Sequence, residues 1–347
     1  MLTISSWPST QWLANSMGDA DLEAIYAPSA RGVLTAFGIE ADEFALVAAS
    51  ENLTFRVTDR RDGVAYVLRL HRPGYHTLEE LDSERIWTEA LAKAGVSAPV
   101  PRPANDGRYY VPVRIEAAQE TRFAGMSLWT DGEPLADVLS RTVTVAEAEA
   151  YYAELGSMVA ATHNQSAVWK PPAGFTRHHL DADGLMGDAP FWGRFWEHPG
   201  LSAEEQRQLL SGRERVREAL GSMSRAAYSV IHADLHPGNV LVKNRILTII
   251  DFDDAGWGWH SYDIAVALVH QQDTPGFAAI EAAFVQGYRK RRALSEASRA
   301  QLRLFLMIRD MALIGWLHQR PEIKADERFQ ALKGRACKAA AALQGIV

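Results

Sequence analysis

The chain has little of what three broad classes of protein need. It contains one cysteine, Cys337, so no intrachain disulfide can form and no oxidising compartment is required. No stretch reaches the roughly 18 uninterrupted apolar residues of a membrane span, and Met1 to Trp12 show no basic segment followed by an apolar run. A net charge of −7 without a basic stripe does not favour nucleic acid. We therefore expect a cytoplasmic protein with no membrane or nucleic-acid partner, and nothing in the sequence indicates its oligomeric state.

The first part of the chain is predicted to form mainly β-strands. With 47% hydrophobic residues, the 347-residue chain has enough apolar material for two moderate lobes, each with its own core. Between residues 41 and 130, short apolar or alternating runs predict strands, and turn residues such as Asp62-Gly63 favour antiparallel hairpins. One long helical pattern interrupts them. The expected strands are Phe44–Ala48, Leu53–Val57, Tyr66–Leu70, Tyr109–Ile115 and Met126–Trp129, and the expected helix is Thr77–Ala94.

The rest of the chain is predicted to form mainly helices, with a few short strands between Ser229 and Asp251. Glycine, aspartate and proline in residues 125–134 predict the hinge between the two parts. We predict an α+β fold in which residues 1–130 form a β-rich lobe with a helical extension at 1–40, and residues 131–347 form a helical lobe. A ligand cleft is expected between the lobes. The expected helices are Val145–Asn164, Ala203–Leu220, Tyr262–Gln271, Gly276–Arg289 and Ser295–His318.

One constellation of polar residues carries the chemical signal. Asp234 precedes Asn239 by five residues, and Asn239 precedes Asp251 by twelve, with apolar runs beside the latter two. That spacing is typical of the catalytic loop and the metal-binding aspartate of kinases. In phosphoryl transfer, Asp234 would accept or orient the proton of an acceptor hydroxyl. Asn239 and Asp251 would offer hard oxygen ligands to Mg²⁺.

Two other interpretations of the same stretch remain open at this point. His232, Asp234 and His236 form a His-x-Asp-x-His pattern that is compatible with metal ligands, although zinc enzymes typically add further His or Cys ligands. An acidic loop with a turn at Pro237-Gly238 would explain each residue separately. The joint spacing favours the kinase interpretation over both.

The same residues resemble a known family. His232-Ala-Asp-Leu-His-Pro-Gly-Asn239 and Ile250-Asp-Phe-Asp-Asp254 look like the motifs of the aminoglycoside phosphotransferase, choline kinase and homoserine kinase superfamily. The resemblance extends over most of the chain, and it implies a protein-kinase-like two-lobed fold and the use of ATP and Mg²⁺. The motifs are specific for the superfamily but do not select a substrate.

The resemblance also implies where the nucleotide binds. Arg69, on the predicted third strand, would contact the phosphates, although kinases more commonly use lysine there. Glu84 on the following helix would hold Arg69, with Glu80 as the competing partner. The loop after the first strand lacks the Gly-x-Gly pattern of protein kinases. The remaining expected contacts are Ser50 and Asn52 with phosphate, and Leu128 and Thr130 with adenine at the hinge.

The acceptor is expected to be a small hydroxylated metabolite. Only eleven residues, Phe252 to Tyr262, precede Asp263, near which the next helix begins, whereas protein kinases need a longer activation segment. Asp253 and Asp254, with aromatic faces such as that of Trp257, would hold an amine, and Arg194 would instead bind a carboxylate. Together these residues suit a homoserine-like amino alcohol or a hydroxy amino acid. Asp263 resembles the structural aspartate that, in the family, anchors the segment between the metal-binding aspartate and the next helix and is not catalytic.

Two alternatives belong to other functional classes. A Ser/Thr protein kinase of the stress-response type shares the architecture. A nucleotide-binding regulatory pseudokinase is suggested by Arg69 and the glycine-poor phosphate loop, but the complete set of Asp234, Asn239 and Asp251 argues against it.

Overall fold

Two hydrophobic cores organise the molecule, one for each predicted lobe. The computed structural model describes residues 18–49, 52–141, 144–323 and 326–343. One core is built on Phe55, Leu68 and Leu70, and the other on residues such as Tyr152 and Phe305. The predicted α+β, two-lobed, protein-kinase-like fold is therefore confirmed.

A six-stranded sheet forms most of the first lobe. All its neighbouring strands are antiparallel, as the hairpin turns predict. The elements in chain order are helix α1 (Asp19–Val33), β1 (Ala41–Ala49), β2 (Leu53–Asp59), β3 (Ala65–Leu70), α2 (Leu78–Lys93), β4 (Pro101–Arg102), β5 (Tyr110–Ile115) and β6 (Glu120–Leu128). The strands lie in the order β1, β2, β3, β6, β4, with β5 also paired to β6. Helix α1 lies within the segment predicted as a helical extension, and the prediction for residues 1–17 lies outside the described residues.

The second lobe is mainly helical and contains two small sheets. Its elements are β7 (Glu133–Pro134), α3 (Leu135–Ser140), α4 (Val145–Val168), β8 (His179–Leu180), α5 (Ala182–Met186), α6 (Ala203–Ser222), β9 (Tyr228–Ile231), β10 (Val240–Lys243), β11 (Ile246–Ile249), β12 (Gly256–Trp259), α7 (His260–Leu268), α8 (Phe277–Arg289), α9 (Glu296–Ala300), α10 (Leu302–His318) and α11 (Asp326–Leu343). One sheet contains β11, β10 and β7, and the other contains β8, β12 and β9. No helix of the described residues is long and apolar enough to cross a membrane.

The register of β3 turns Arg69 toward the space between the lobes. Arg69 lies opposite Thr54 on β2 and Gly125 on β6. Its neighbours Leu68 and Leu70 are fully buried in the core of the first lobe. Because side chains alternate along a strand, Arg69 must point to the other face, as the sequence pattern predicts.

Helix α2 connects the two cores. It begins at the capping box in which Thr77 accepts from the Glu80 backbone and the Glu80 side chain accepts from Thr77. Trp87 and Leu91 are fully buried in the core of the second lobe, although the helix follows a strand of the first. Trp87 Nε1 lies 3.2 Å from the Ser166 hydroxyl on α4. The face of α2 that carries Glu84 is therefore fixed relative to both lobes.

Three predicted elements differ from the observed ones. Strand β6 begins at Glu120 rather than Met126: its first three residues are polar and form no apolar run, but they pair with β5. The helix predicted over Ser295–His318 is divided into α9 and α10. Residues 256–259, predicted as part of a loop, form β12, which pairs with β9 despite its two glycines.

Candidate active site

A cavity of about 730 Å³ lies between the lobes and is lined by both. The first lobe contributes side chains from β1, β2, β3 and β6, together with α2. The second lobe contributes the loop after β9, the residues after β11, and one face of α10. Asp234, Asn239, Asp251 and Arg69 all line this single cavity. The structure thus brings together the residues that the sequence spacing selects.

Asp263 of α7 holds the loop that carries Asp234. Its carboxylate accepts hydrogen bonds from the backbone N–H groups of His232 (3.1 Å) and Ala233 (2.7 Å). Ala233 has a φ of +65°, a left-handed conformation that a non-glycine residue rarely adopts, and the two hydrogen bonds hold it there. His232 is fully buried and its Nε2 lies 3.1 Å from the carbonyl oxygen of Ile250. These contacts show His232 supporting the loop backbone.

Asp234 lies in a site that favours its ionised form. Asn239 Nδ2 donates to the Asp234 carboxylate (3.0 Å) and to its carbonyl oxygen (2.9 Å). His236 Nε2 lies 3.6 Å from Asp234 Oδ2, and Arg309 of α10 forms an ion pair with Oδ1. Burial opposes ionisation, but His236 and Arg309 outweigh it and lower the pKa of Asp234 below its ordinary range. The carboxylate is therefore a hydrogen-bond acceptor at neutral pH.

Asn239 and Asp251 have the chemistry that Mg²⁺ requires. The Asn239 amide directs its nitrogen at Asp234, which leaves its oxygen available for a cation. The Ile250 N–H donates to the Asn239 carbonyl (2.9 Å), so the backbone ties the two positions together. The described residues contain no group of three His, Cys, Asp or Glu side chains able to hold a metal ion by themselves. An amide and a carboxylate fit Mg²⁺, which takes its other ligands from phosphate and water.

Arg69 pairs with Asp251 instead of its predicted partner. Its Nη2 lies 2.5 Å from Asp251 Oδ1, and Asp251 is partly exposed to the cavity. Glu84 lines the same cavity, but its Oε2 is buried without a hydrogen-bond partner. Burial and the nearby Asp253 raise the pKa of Glu84 to about 7. The expected Arg69–Glu84 pair is corrected on this point: Arg69 pairs with the partly exposed Asp251, whereas burial disfavours the charged form of Glu84.

The predicted phosphate loop is only partly described. Ser50 lies outside the described residues. Asn52 lines the cavity, but both ends of its amide are engaged: Nδ2 donates to Asp253 Oδ2 (3.0 Å) and Oδ1 accepts from the Arg72 N–H (2.8 Å). The amide of Asn52 therefore connects β2 to the loop of the second lobe. The predicted contact of Asn52 with phosphate stays a prediction.

The predicted adenine site lies at the end of β6. Leu128 and Thr130 both line the cavity next to Met126. The N–H of Leu128 donates to the Val100 carbonyl (2.9 Å). This arrangement provides an apolar edge for a planar ring at the hinge.

Asp253 and Asp254 have different surroundings although they are adjacent. Asp253 is held by Asn52, and its Oδ1 lies 3.9 Å from His71 Nδ1. Asp254 accepts hydrogen bonds from the Tyr75 hydroxyl (2.5 Å) and from Trp192 Nε1 (3.1 Å). Burial, followed by the charge of Asp234, raises the pKa of Asp254 to about 7. Asp254, rather than Asp253, is thus the carboxylate beside an aromatic ring and near Asp234.

Two predicted acceptor residues do not line the cavity. Trp257 lies on β12, where strand pairing turns its ring against His179, with ring centroids 5.8 Å apart and nearly parallel. Arg194 is exposed, pairs with Glu197 (3.1 Å) and donates to the Asp188 carbonyl (2.8 Å). The prediction for Trp257 depends on its nearness to Asp251 along the chain, and local structure turns both side chains elsewhere.

Tyr75 and Arg309 are among the cavity residues that the sequence analysis does not select. Tyr75 follows a glycine turn that carries no functional signal. Arg309 is separated from Asp234 by 75 residues and lies on a predicted helix without any motif. Only the packing of α10 against the catalytic loop brings it into the site.

The fold and site define a phosphotransferase. Residues 45–304 match the family model described as the phosphotransferase enzyme family, APH, and the chain belongs to this family. A microcompartment-associated aminopropanol kinase of known structure is 31% identical, covers 91% of this chain and 95% of its own, and superposes with a TM-score of 0.76. Amicoumacin kinase of Bacillus subtilis strain 168 is 23% identical and covers 86% of this chain and 87% of its own.

A more distant likeness supports the fold alone. A choline/ethanolamine kinase family protein from Mesorhizobium loti is 16% identical, covers 86% of this chain and 87% of its own, and gives a TM-score of 0.54. The protein is a small-molecule kinase of the APH family, and the protein-kinase alternative is not favoured.

Proposed function

We propose that the protein transfers the γ-phosphate of ATP, in the presence of Mg²⁺, to a hydroxyl group of a small molecule that also carries an amino group. Amino alcohols and hydroxy amino acids are the substrate classes. The observation that carries this proposal is the convergence of Asp234, Asn239, Asp251 and Arg69 on one cavity between two lobes. The 31% identical aminopropanol kinase adds support, because its substrate is an amino alcohol.

The phosphates of ATP would lie between Arg69 and the loop of Asn239 and Asp251. Asn239 and Asp251 would hold Mg²⁺, whose chemical contribution there is to neutralise charge on the phosphate oxygens. Arg69 would add positive charge and a planar donor group that suits phosphate. To bind the phosphates, Arg69 has to give up part of its contact with Asp251. Leu128 and Thr130 would border the adenine ring.

Asp234 would act on the acceptor hydroxyl. Its ionised carboxylate can accept the hydroxyl proton and so direct the oxygen at the γ-phosphate. Asn239 donates to Oδ2 of this carboxylate and Arg309 pairs with Oδ1, and these contacts limit the directions from which a hydroxyl can approach.

Asp254 and its aromatic neighbours would bind the amino group of the acceptor. The two oxygens of Asp254 keep further lone pairs beyond those used by Tyr75 and Trp192. An ammonium group placed there would lie near both Asp254 and Asp234 and against the Trp192 ring, an environment that stabilises a cation. The hydroxyl would then be the next group along the molecule toward Asp234.

A coupled assay of ADP release tests the proposal. Purified protein is mixed with ATP, Mg²⁺ and one acceptor at a time, from amino alcohols, hydroxy amino acids, choline-like amines and aminoglycosides. We expect acceptor-dependent ADP release with an amino alcohol or a hydroxy amino acid, and its loss in Asp234→Asn. Binding of ATP without release for any acceptor would contradict the proposal and favour the regulatory alternative.

A further inference from the structure

Arg309 lies outside the segment that identifies the family. The family match ends at residue 304, five positions before Arg309 on helix α10. The side chain is 4% exposed and its guanidinium forms an ion pair with Asp234. A buried arginine that contacts the proposed proton acceptor calls for an explanation beyond the shared motifs.

The contacts of Arg309 fix its position on several sides. Nη2 donates to Asp234 Oδ1, and Nη1 lies 3.4 Å from the Tyr262 hydroxyl. The guanidinium carbon lies 5.4 Å from the centre of the Trp192 ring, the same ring that donates to Asp254. Arg309 therefore contacts the residues proposed for the hydroxyl and lies next to those proposed for the amine.

The same face of α10 forms a wall of the cavity. Ala312, Leu313 and Trp316 follow Arg309 at i+3, i+4 and i+7, and all four line the cavity. A shift of α10 on binding an acceptor would thus move the partner of Asp234 as well. The helix links the acceptor wall to the catalytic carboxylate.

We propose that Arg309 is a positioning residue for Asp234: its ion pair fixes Oδ1, so that the other carboxylate oxygen, Oδ2, is held in place to accept the proton of the acceptor hydroxyl. This inference rests on the proposed function for the role of Asp234 as proton acceptor. That Arg309 fixes the Asp234 carboxylate does not depend on the proposed function, because it follows from the ion pair alone. An arginine remains charged at any working pH, so the support does not depend on protonation of a neighbouring histidine.

Other charged or titratable groups also face Asp234, and they define the competing explanation. His236 in particular lies near the same carboxylate and also favours its ionised form. The groups that face Asp234 are His232 and His236 of its own loop, Tyr262 of α7, Asp254 after β11, Arg309 of α10 and Arg328 of α11. A test must therefore isolate the contribution of Arg309.

The chain offers a matched control on the same helix. Asp310, the next residue, is buried and pairs with Arg335 of α11 at 2.7 Å. Arg335→Met breaks an arginine–aspartate pair of α10, as Arg309→Met does, but removes no contact made by Asp234. A purely structural role for Arg309 predicts that the two variants behave alike.

The test measures kcat, the acceptor KM, ATP affinity and Tm in Arg309→Met, Arg309→Lys and Arg335→Met. In Arg309→Met we expect kcat to fall roughly 100-fold, with ATP affinity and the acceptor KM within about threefold of the parent. Arg309→Lys should recover part of the lost kcat. Arg335→Met should lower Tm while keeping kcat within about threefold of the parent.

A crystal structure of Arg309→Met, beside that of Arg335→Met, supplies a readout that needs no turnover. We expect the Asp234 carboxylate to turn away from its parent orientation in Arg309→Met and to keep that orientation in Arg335→Met. An unchanged carboxylate in Arg309→Met would assign its orientation to Asn239 and His236 and overturn the inference, as would equal kcat losses in Arg309→Met and Arg335→Met. A parent protein that never turns over any acceptor, yet loses the carboxylate orientation in Arg309→Met, would refute the proposed function and leave the Arg309–Asp234 relationship standing.

Discussion

Arg69 of β3 and Asp251 of the second lobe form an ion pair across the cleft, with 2.5 Å between Nη2 and Oδ1. The contact joins the proposed phosphate-binding residue to a proposed Mg²⁺ ligand. Asn52 makes a second link by donating to Asp253, and Tyr75 a third by donating to Asp254. Three side chains of the first lobe therefore hold three aspartates of one short loop, and the lobes meet at the site where the chemistry is proposed.

Replacing Arg69 tests its proposed contact with phosphate. Arg69→Met should weaken ATP binding by roughly 10- to 100-fold, the loss expected for a charge-assisted contact. Arg69→Lys should lie between the parent and Arg69→Met, since lysine keeps the charge but not the planar donor group. Calorimetric titration with a non-hydrolysable ATP analogue measures the effect. Arg60→Met, which removes a surface pair with Glu40, serves as control; equal affinities in all four proteins would refute the assignment.

Glu84 should lower the stability of the free protein at neutral to alkaline pH. Its pKa is raised to about 7 by burial, so the folded state holds this proton more tightly than the unfolded chain does. The stabilising contribution of the protonated form is present below the ordinary glutamate pKa and is lost as the pH rises through about 7. Glu84→Gln should therefore be more stable than the parent at about pH 8, on the order of 1–3 kcal/mol.

Urea unfolding at about pH 8 and about pH 5 measures this difference. The gain from Glu84→Gln should shrink at the lower pH, where the parent Glu84 keeps its proton in the folded state. A gain of the same size at both values would show that ionisation of Glu84 is not its cause.

Asp254 should make the binding of an amine acceptor depend on pH. Its pKa of about 7 means that the carboxylate becomes ionised as the pH rises, whereas an alkylamine stays protonated from about pH 6 to about pH 8. The KM for an amino-alcohol acceptor should accordingly fall over this range. Asp254→Asn should raise KM roughly tenfold and remove the pH dependence. A parent KM that is flat, or that rises with pH, would contradict the assignment.

Arg194 provides a test of a residue that the structure removes from the site. It is exposed and pairs with Glu197, and it does not line the cavity. Arg194→Gln should leave kcat and the acceptor KM within about threefold of the parent, in line with an ordinary surface substitution. A large loss specific to carboxylate-bearing acceptors would restore its original assignment as a carboxylate ligand.

The sequence predicts best what depends on short-range patterns. Asp234, Asn239 and Asp251 lie on one stretch whose spacing reflects a loop between strands, so one motif locates all three. The direction of Arg69 follows from alternation along β3, with Leu68 and Leu70 buried on the other face. Such features need only local geometry, which the chain encodes within a few residues.

Contacts between distant segments could not be predicted in this way. Asn52 and Asp253 are 201 residues apart, and Arg309 and Asp234 are 75 apart. These pairs depend on how the lobes and α10 pack, and no periodic pattern carries that information. Trp257 shows the opposite kind of error, a predicted contact that does not form. Its nearness to Asp251 in the chain predicts a position in the cleft, but the pairing of β12 turns the ring away.

Phosphorus NMR of the reaction products tests the central claim most directly. The protein is incubated with ATP, Mg²⁺ and an amino alcohol or hydroxy amino acid that supports ADP release, beside Asp234→Asn as control. The account predicts a new phosphate monoester resonance that is coupled to the protons of the acceptor carbon and grows with ADP, and its absence in Asp234→Asn. Inorganic phosphate as the only product, or an equal yield of monoester from Asp234→Asn, would contradict transfer to an acceptor hydroxyl at Asp234.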